Sequence, residues 1–261
     1  TALGLKLQAS ADLVTVTYQL QEAGGRVLKQ SANKFPKTDT FGIEDDVVNG
    51  TVETLQLDLR SDEKAALKIH GTSLPEAYDY YLKARGYLLN FTNAEDVDHA
   101  ITMVNEALKL DGNFGMARAA LGEAYFRKYW HTKQANWTKL ARKECESAVA
   151  LGNAGPAGHS CLGLVDDGTG QYKEAVAVFK QVPANHPSLT YARFYQLSAM
   201  HKLLEDKALD TNAKKAMVQD IQALSADVNK RIETELAAAD EKQKPRLRFY
   251  QVSSTLQSAI L

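Results

Sequence analysis

The chain has 261 residues, 44 % of them hydrophobic and 24 % charged, with a formal net charge of −1. Its length predicts two units, its composition is that of an ordinary globular protein, and its balanced charge excludes a nucleic-acid footprint, which needs a basic excess. No run approaches the 18 apolar residues of a membrane span, so no membrane contact is expected within these residues. There is no initiator Met and no signal-like segment, and the first residues already alternate like a strand, which predicts a piece of a longer protein.

Residues 1–37 read as β. Leu3, Leu5 and Leu7 alternate with small or polar residues, as do Val14, Val16, Tyr18 and Leu20, and period two buries one face of a sheet. Ala9–Asp12 separates these runs, and Gly24-Gly25 signals a hairpin before Val27-Leu28, giving a three-stranded meander that ends near Pro36. Such a meander needs a cover. Ile43, Val47, Val48, Val52, Leu55 and Leu59 supply one as a helical stripe over Thr40–Leu59, with Asp39 or Thr38 as cap. A short polar helix over Asp62–Ile69 then leads to a boundary at 70–75, so a small α/β domain is expected over 1–70.

From Pro75 the pattern is helical. Pro75 fits a first turn, where its missing N–H costs nothing. A first pair joins a helix around Tyr78–Asn90 to one carrying Ala100, Val104 and Ala107, through an extended connection Phe91–Asp98. A second pair carries Leu121-Gly122 and Tyr125, then Ala141, Cys145 and Ala148, with a long connection Lys128–Thr138 that holds Trp130 and Trp137 as an edge plug, with an exposed aromatic patch as the alternative. The third is the clearest: Leu162-Gly163, a turn over Asp166–Gln171, Ala175 and Phe179, and Pro187 to end the second helix. A fourth first-helix carries Ala192, Leu197 and Ala199. Met217, Ile221, Leu224, Val228 and Ile232 then mark a long helix, Lys244-Pro245 breaks the pattern, and Phe249–Leu261 forms a last helix.

These spacings, with glycine and alanine where two helices meet and the 34-residue unit matched by the third pair, resemble the tetratricopeptide repeat family over 75–204, the first two pairs departing from it by their lengthened connections. The repeats would be 75–113, 114–153, 154–187 and the start of a fourth at 188–204, followed by a degenerate repeat and cap over 205–261. The fold class is therefore mainly α, a repeat-like helical solenoid preceded by the small α/β domain. A narrower resemblance covers Leu13–Asn113. The strand–Gly-Gly–strand run, the helix near Phe41–Leu55, Leu57–Glu63 and Pro75–Arg85 are similar to the C-terminal part of bacterial membrane-anchored Ser/Thr kinases, adenylate cyclases and winged-helix regulators. That resemblance implies a sensory or regulatory part placed outside the cytoplasm, with a cytoplasmic location as the alternative.

Catalytic motifs are absent. There is no phosphate loop, dinucleotide fingerprint, nucleophile elbow or kinase loop, and the six histidines show no metal-ligand spacing. No cofactor and no metal are expected. Asp45-Asp46 and Asp166-Asp167 read as solvated caps. Cys145 and Cys161, on consecutive helices, read first as small buried apolar residues, with a disulfide open if the compartment is oxidising. Stacked repeats leave a concave groove lined by first helices. Its candidate lining is Tyr78, Tyr81, Arg85, Met116, Glu123, Arg127, Ser160, Leu164, Tyr195 and Lys202, with packing of Tyr78 and Tyr81 on the α/β domain as the alternative. The expected function is a non-catalytic scaffold that binds a protein or peptide segment in that groove. A homo-oligomerisation module acting through 205–261, and an enzyme with an interdomain cleft, are the alternatives.

Overall fold

A computed structural model describes residues 2–22, 24–59, 70–184, 189–206, 209–238, 247–248 and 250–251. The chain divides into two compact units, Thr1–Asp79 and Tyr80–Leu261. The first is a small α/β unit and the second is helical, so the fold is mainly α.

In the first unit β1 (Ala2–Ala9), β2 (Leu13–Gln21) and β3 (Val27–Pro36) form an antiparallel meander in the order β1-β2-β3. Leu5 stands opposite Tyr18 and Leu7 opposite Val16, while Val16 and Tyr18 face Asn33 and Ser31 on the other side. Period two thus gathers Val16 and Tyr18 on one face, where both are buried. Helix α1 (Thr40–Leu55) packs on this sheet. The Asp39 carboxylate caps it by accepting from the Gly42 N–H at 2.9 Å. The helix stops four residues before the predicted Leu59. Gln56 turns left-handed, and the Leu57 N–H closes back on the Val52 carbonyl at 2.9 Å, satisfying an end carbonyl.

Helix and sheet come close at Gly50, where a Cβ would lie 2.3 Å from the Tyr18 ring. The Tyr18 hydroxyl donates to the Asp46 backbone carbonyl at 2.6 Å and to its carboxylate at 2.7 Å, and Asn33 donates to the other carboxylate oxygen at 2.6 Å. Asp46 is therefore a bracket between helix and sheet rather than the solvated cap expected. Burial, followed by the Asp46 contact, pushes the Tyr18 hydroxyl well above its ordinary pKa. Asp45 is likewise engaged, 3.3 Å from His70 Nε2, while Glu44 lies 3.4 Å from His70 Nδ1. The His70 ring stacks on Phe41, with centroids 4.2 Å apart. The helix predicted over Asp62–Ile69 lies outside the described residues.

Helix α2 (Pro75–Leu88) starts at the predicted proline. Its first turn belongs to the α/β unit, where Tyr78 donates to Glu44 at 3.1 Å and packs on Phe41. The second unit continues with α3 (Ala94–Leu110), α4 (Gly115–Thr132), α5 (Asn136–Leu151), α6 (Pro156–Gly168), α7 (Tyr172–Phe179), α8 (Leu189–Leu204) and α9 (Thr211–Ala238). From α4 to α8 each helix packs on its successor and the first helices pack on one another: α4 on α5 and α6, α6 on α7 and α8, and α8 on α9. The two connections predicted to be long are short. Helix α3 already begins at Ala94, with the Asn93 side chain as its cap, and α4 runs on through Trp130 to Thr132.

Small residues set the spacing. Ala100, Val104 and Ala107 on α3 are fully buried, as are Ala141, Cys145 and Ala148 on α5. At Gly163 a Cβ would lie 2.8 Å from the Phe179 ring, so the glycine on α6 seats the phenylalanine of α7. Helix α7 ends at Phe179, well before Pro187, which lies outside the described residues. The Val182 N–H bonds the Phe179 carbonyl at 3.2 Å, and this turn buries Val182 in the same core. On α9, Ile221, Val228 and Ile232 are buried with Leu197 and Phe194, and Leu247 and Tyr250 join them. Most of the predicted last helix lies outside the described residues.

Phe179→Ala removes a fully buried ring from the α6–α7 contact, and a loss of about 3–5 kcal/mol is expected. Urea unfolding followed by far-ultraviolet circular dichroism measures it.

Candidate functional site

The candidate residues lie along α2, α4, α6 and α8, the first helix of each pair. Glu123 and Arg127 are one turn apart on α4 and share a face, as do Tyr191 and Tyr195 on α8. Arg85 on α2 donates to Glu123 at 2.8 Å. The other Glu123 oxygen lies 3.5 Å from Arg127. Arg127 in turn reaches the hydroxyls of Tyr191 and Tyr195 at 3.4 Å. One polar row, Arg85–Glu123–Arg127–Tyr191/Tyr195, thus links three first helices.

Arg127 is the centre of that row and is only 1 % exposed. Its guanidinium lies 3.9 Å from the centre of the Phe91 ring and 5.8 Å from that of Trp130. Arginine suits this place because a flat, weakly hydrated cation stacks on aromatic faces and keeps its edge donors free. Burial works against its charge. The tyrosine hydroxyls and Glu123 outweigh burial, so the group stays protonated. Burial, with Glu123 adding to it, pushes the Tyr191 hydroxyl well above its ordinary pKa, so Tyr191 stays neutral.

A second polar set lies toward the end of α6. Lys202 on α8 donates to Asp167 at 2.9 Å, and Arg142 on α5 pairs with Asp166 and donates to Gln171 at 2.7 Å. Asp166 and Asp167 are both buried, which corrects their reading as solvated caps. The turn begins only after Gly168, so both aspartates are still helical and face the neighbouring helices. Burial raises both carboxyl pKa values, against the lowering effects of Arg142 and of Lys202.

The ten candidate residues divide by exposure. Tyr78 belongs to the α/β unit, whereas Tyr81 is buried in the helical unit with its ring 5.2 Å from that of Phe114. Arg127, Ser160 and Leu164 are buried as well, Leu164 in the core with Phe126 and Cys161. These four are covered because neighbouring first helices, and Phe91 from the connection after α2, close over them. Arg85, with 40 % of its side chain exposed, and the half-buried Met116, Glu123, Tyr195 and Lys202 keep accessible surface. Tyr191 and Phe91 were not anticipated. Tyr191 was legible as the residue one turn before Tyr195, while Phe91 reaches Arg127 only through the path of a connection. Of the two tryptophans, Trp137 packs on Tyr125 at 5.5 Å as a plug, whereas Trp130 is exposed.

Among the described residues no group of three or more His, Cys, Asp or Glu side chains could hold a metal ion, and no helix is long and apolar enough to cross a membrane.

No protein-family model matches the chain. It is similar to a protein of Rhizobium meliloti (strain 1021) named putative adenylate cyclase 3, with 27 % identity over 129 residues. The match covers 48 % of this chain but 22 % of the length of that relative. The chain thus has a distant relative among signalling proteins, and the matched residues span under a quarter of that relative's length.

Glu123→Ala strands Arg127 without its carboxylate and is expected to destabilise the helical unit by about 3–5 kcal/mol. Glu123→Ala/Arg127→Met recovers most of that loss, because a flexible apolar side chain fills the same space. Chemical denaturation of the single and double variants measures the coupling. For the aspartates, a folded-state pKa above the unfolded value means that the native state binds more protons in the window between the two. Lowering the pH from neutral toward the ordinary carboxylate pKa of about 3.9 therefore favours the folded wild type relative to Asp166→Asn/Asp167→Asn. Unfolding midpoints of both proteins across that range test the sign.

Proposed function

We propose that the chain is a non-catalytic, tetratricopeptide-like interaction module, the regulatory part of a larger bacterial signalling protein. It binds a protein or peptide segment along the face shared by its first helices. The observation that carries this reading is the partly exposed polar and aromatic row on α2, α4 and α8: Arg85 and Glu123 at one end, Tyr195 at the other, and the buried Arg127 holding them in place. Tyrosine and arginine combine contact area with directional donors, and both are enriched where binding energy concentrates. A held guanidinium loses less freedom when it engages a partner than a free one does. The similarity to a protein named as a putative adenylate cyclase supports a signalling context, and its greater length leaves room for an effector elsewhere in such a protein.

The variant Arg85→Ala/Met116→Asp, with folding checked by circular dichroism, is expected to weaken capture of the partner from source-cell extract at least about tenfold, the scale of a hot-spot truncation. The control Lys143→Glu, on the exposed side of α5, retains capture. Equal loss in both variants, or none in either, removes the binding face from α2 and α4.

A further inference from the structure

We infer that Cys145 and Cys161 form a structural disulfide made as the chain folds in an oxidising compartment, and that the module meets its partner there. The statement about the partner rests on the binding reading above. The statement about the bond does not.

The two cysteines are the only ones in the chain, and they are bonded to each other, with Cα atoms 5.5 Å apart and a sequence separation of 16. Cys145 lies on α5 and Cys161 on α6, so the bond staples the second helix pair to the third. Cys145 is fully buried and Cys161 is 4 % exposed, which shields the bond from exchange with thiols in solution.

The surroundings are built for joined sulfurs. A Cβ on Gly122 would lie 2.6 Å from both sulfur atoms and 3.0 Å from the Ala141 carbonyl. The bonded sulfurs therefore take up the space that a side chain at position 122 would need, and glycine leaves it to them. On α4 the residue after Gly122 is Glu123 of the polar row.

The chemistry is thiol–disulfide exchange with a dithiol-type disulfide oxidant. The thiolate of one cysteine attacks the oxidant's disulfide, giving a mixed disulfide and releasing one oxidant thiolate. The second cysteine, as thiolate, then displaces the remaining oxidant sulfur. Two protons and two electrons leave the chain, and the oxidant departs as a dithiol. Such bonds persist outside the reducing cytosol. A buried one belongs to assembly rather than to a reversible switch.

The test begins with source cells lysed directly into denaturant and iodoacetamide, followed by mass analysis of the cysteine peptides with and without prior reduction. Alkylation of both cysteines only after reduction is expected, and full alkylation without reduction overturns the proposal. Urea unfolding of the purified chain then compares reduced and oxidised protein. A fall of roughly a hundredfold in the folding equilibrium constant is expected on reduction, the scale for a cross-link closing a loop of this length. The variant Cys145→Ala/Cys161→Ala does not respond to reductant, and a wild type that behaves like it overturns the structural role. A bond that is present and stabilising, in a chain whose Arg85 variant loses no partner, overturns the binding reading alone.

Discussion

The helical unit depends on how closely α4 can approach the two helices beyond it. Gly122 is where this happens: its missing side chain is the space that the Cys145–Cys161 bond occupies. A methyl group there would collide with both sulfurs and with the α5 backbone. Interiors pack at crystal-like density, so a collision of this kind cannot be absorbed locally and would push α4 away from its neighbours. Gly163 with Phe179 repeats the device one pair later, and Gly50 with Tyr18 repeats it in the α/β unit. In each case a glycine on one element receives a large or rigid group from another.

That spacing decides where polar groups can go. With the first helices drawn together, Arg127 cannot reach water, and its charge has to be met inside the protein. It is met by Phe91 beneath, Glu123 one turn away and two tyrosine hydroxyls from α8. The same closeness buries Asp166 and Asp167 and draws Arg142 and Lys202 to them. Buried charge is expensive to leave unpaired and only modestly favourable when paired. These networks therefore specify which helix lies beside which more than they add to total stability.

A row that is fixed internally and still exposed at its ends is suited to recognition. Arg85, Met116 and Tyr195 offer surface, while Arg127 behind them is buried. The exposed Trp130, beside Phe91 with ring centres 6.0 Å apart, extends the aromatic surface next to that row.

The sequence by itself determined the elements. Period two marked the strands, the 3.6-residue period marked the helices, and Asp39, Pro75 and the Gly24-Gly25 turn marked several of their ends, because these signals act through local backbone geometry. It also placed Gly122, Gly163, Ala175 and Phe179 at helix contacts, since a small residue opposite a large one is a local signature of close packing. Only the tertiary structure decided that Arg127 is buried while Arg85 is not, although both sit on first helices at comparable positions. The difference comes from Phe91 and the α8 tyrosines, which arrive from elsewhere in the chain. It decided likewise that Asp46 brackets helix and sheet, that Asp166 and Asp167 lie inside, and that the two cysteines join. Each of these depends on the distance between groups far apart in sequence, and a periodic pattern carries no information about that distance.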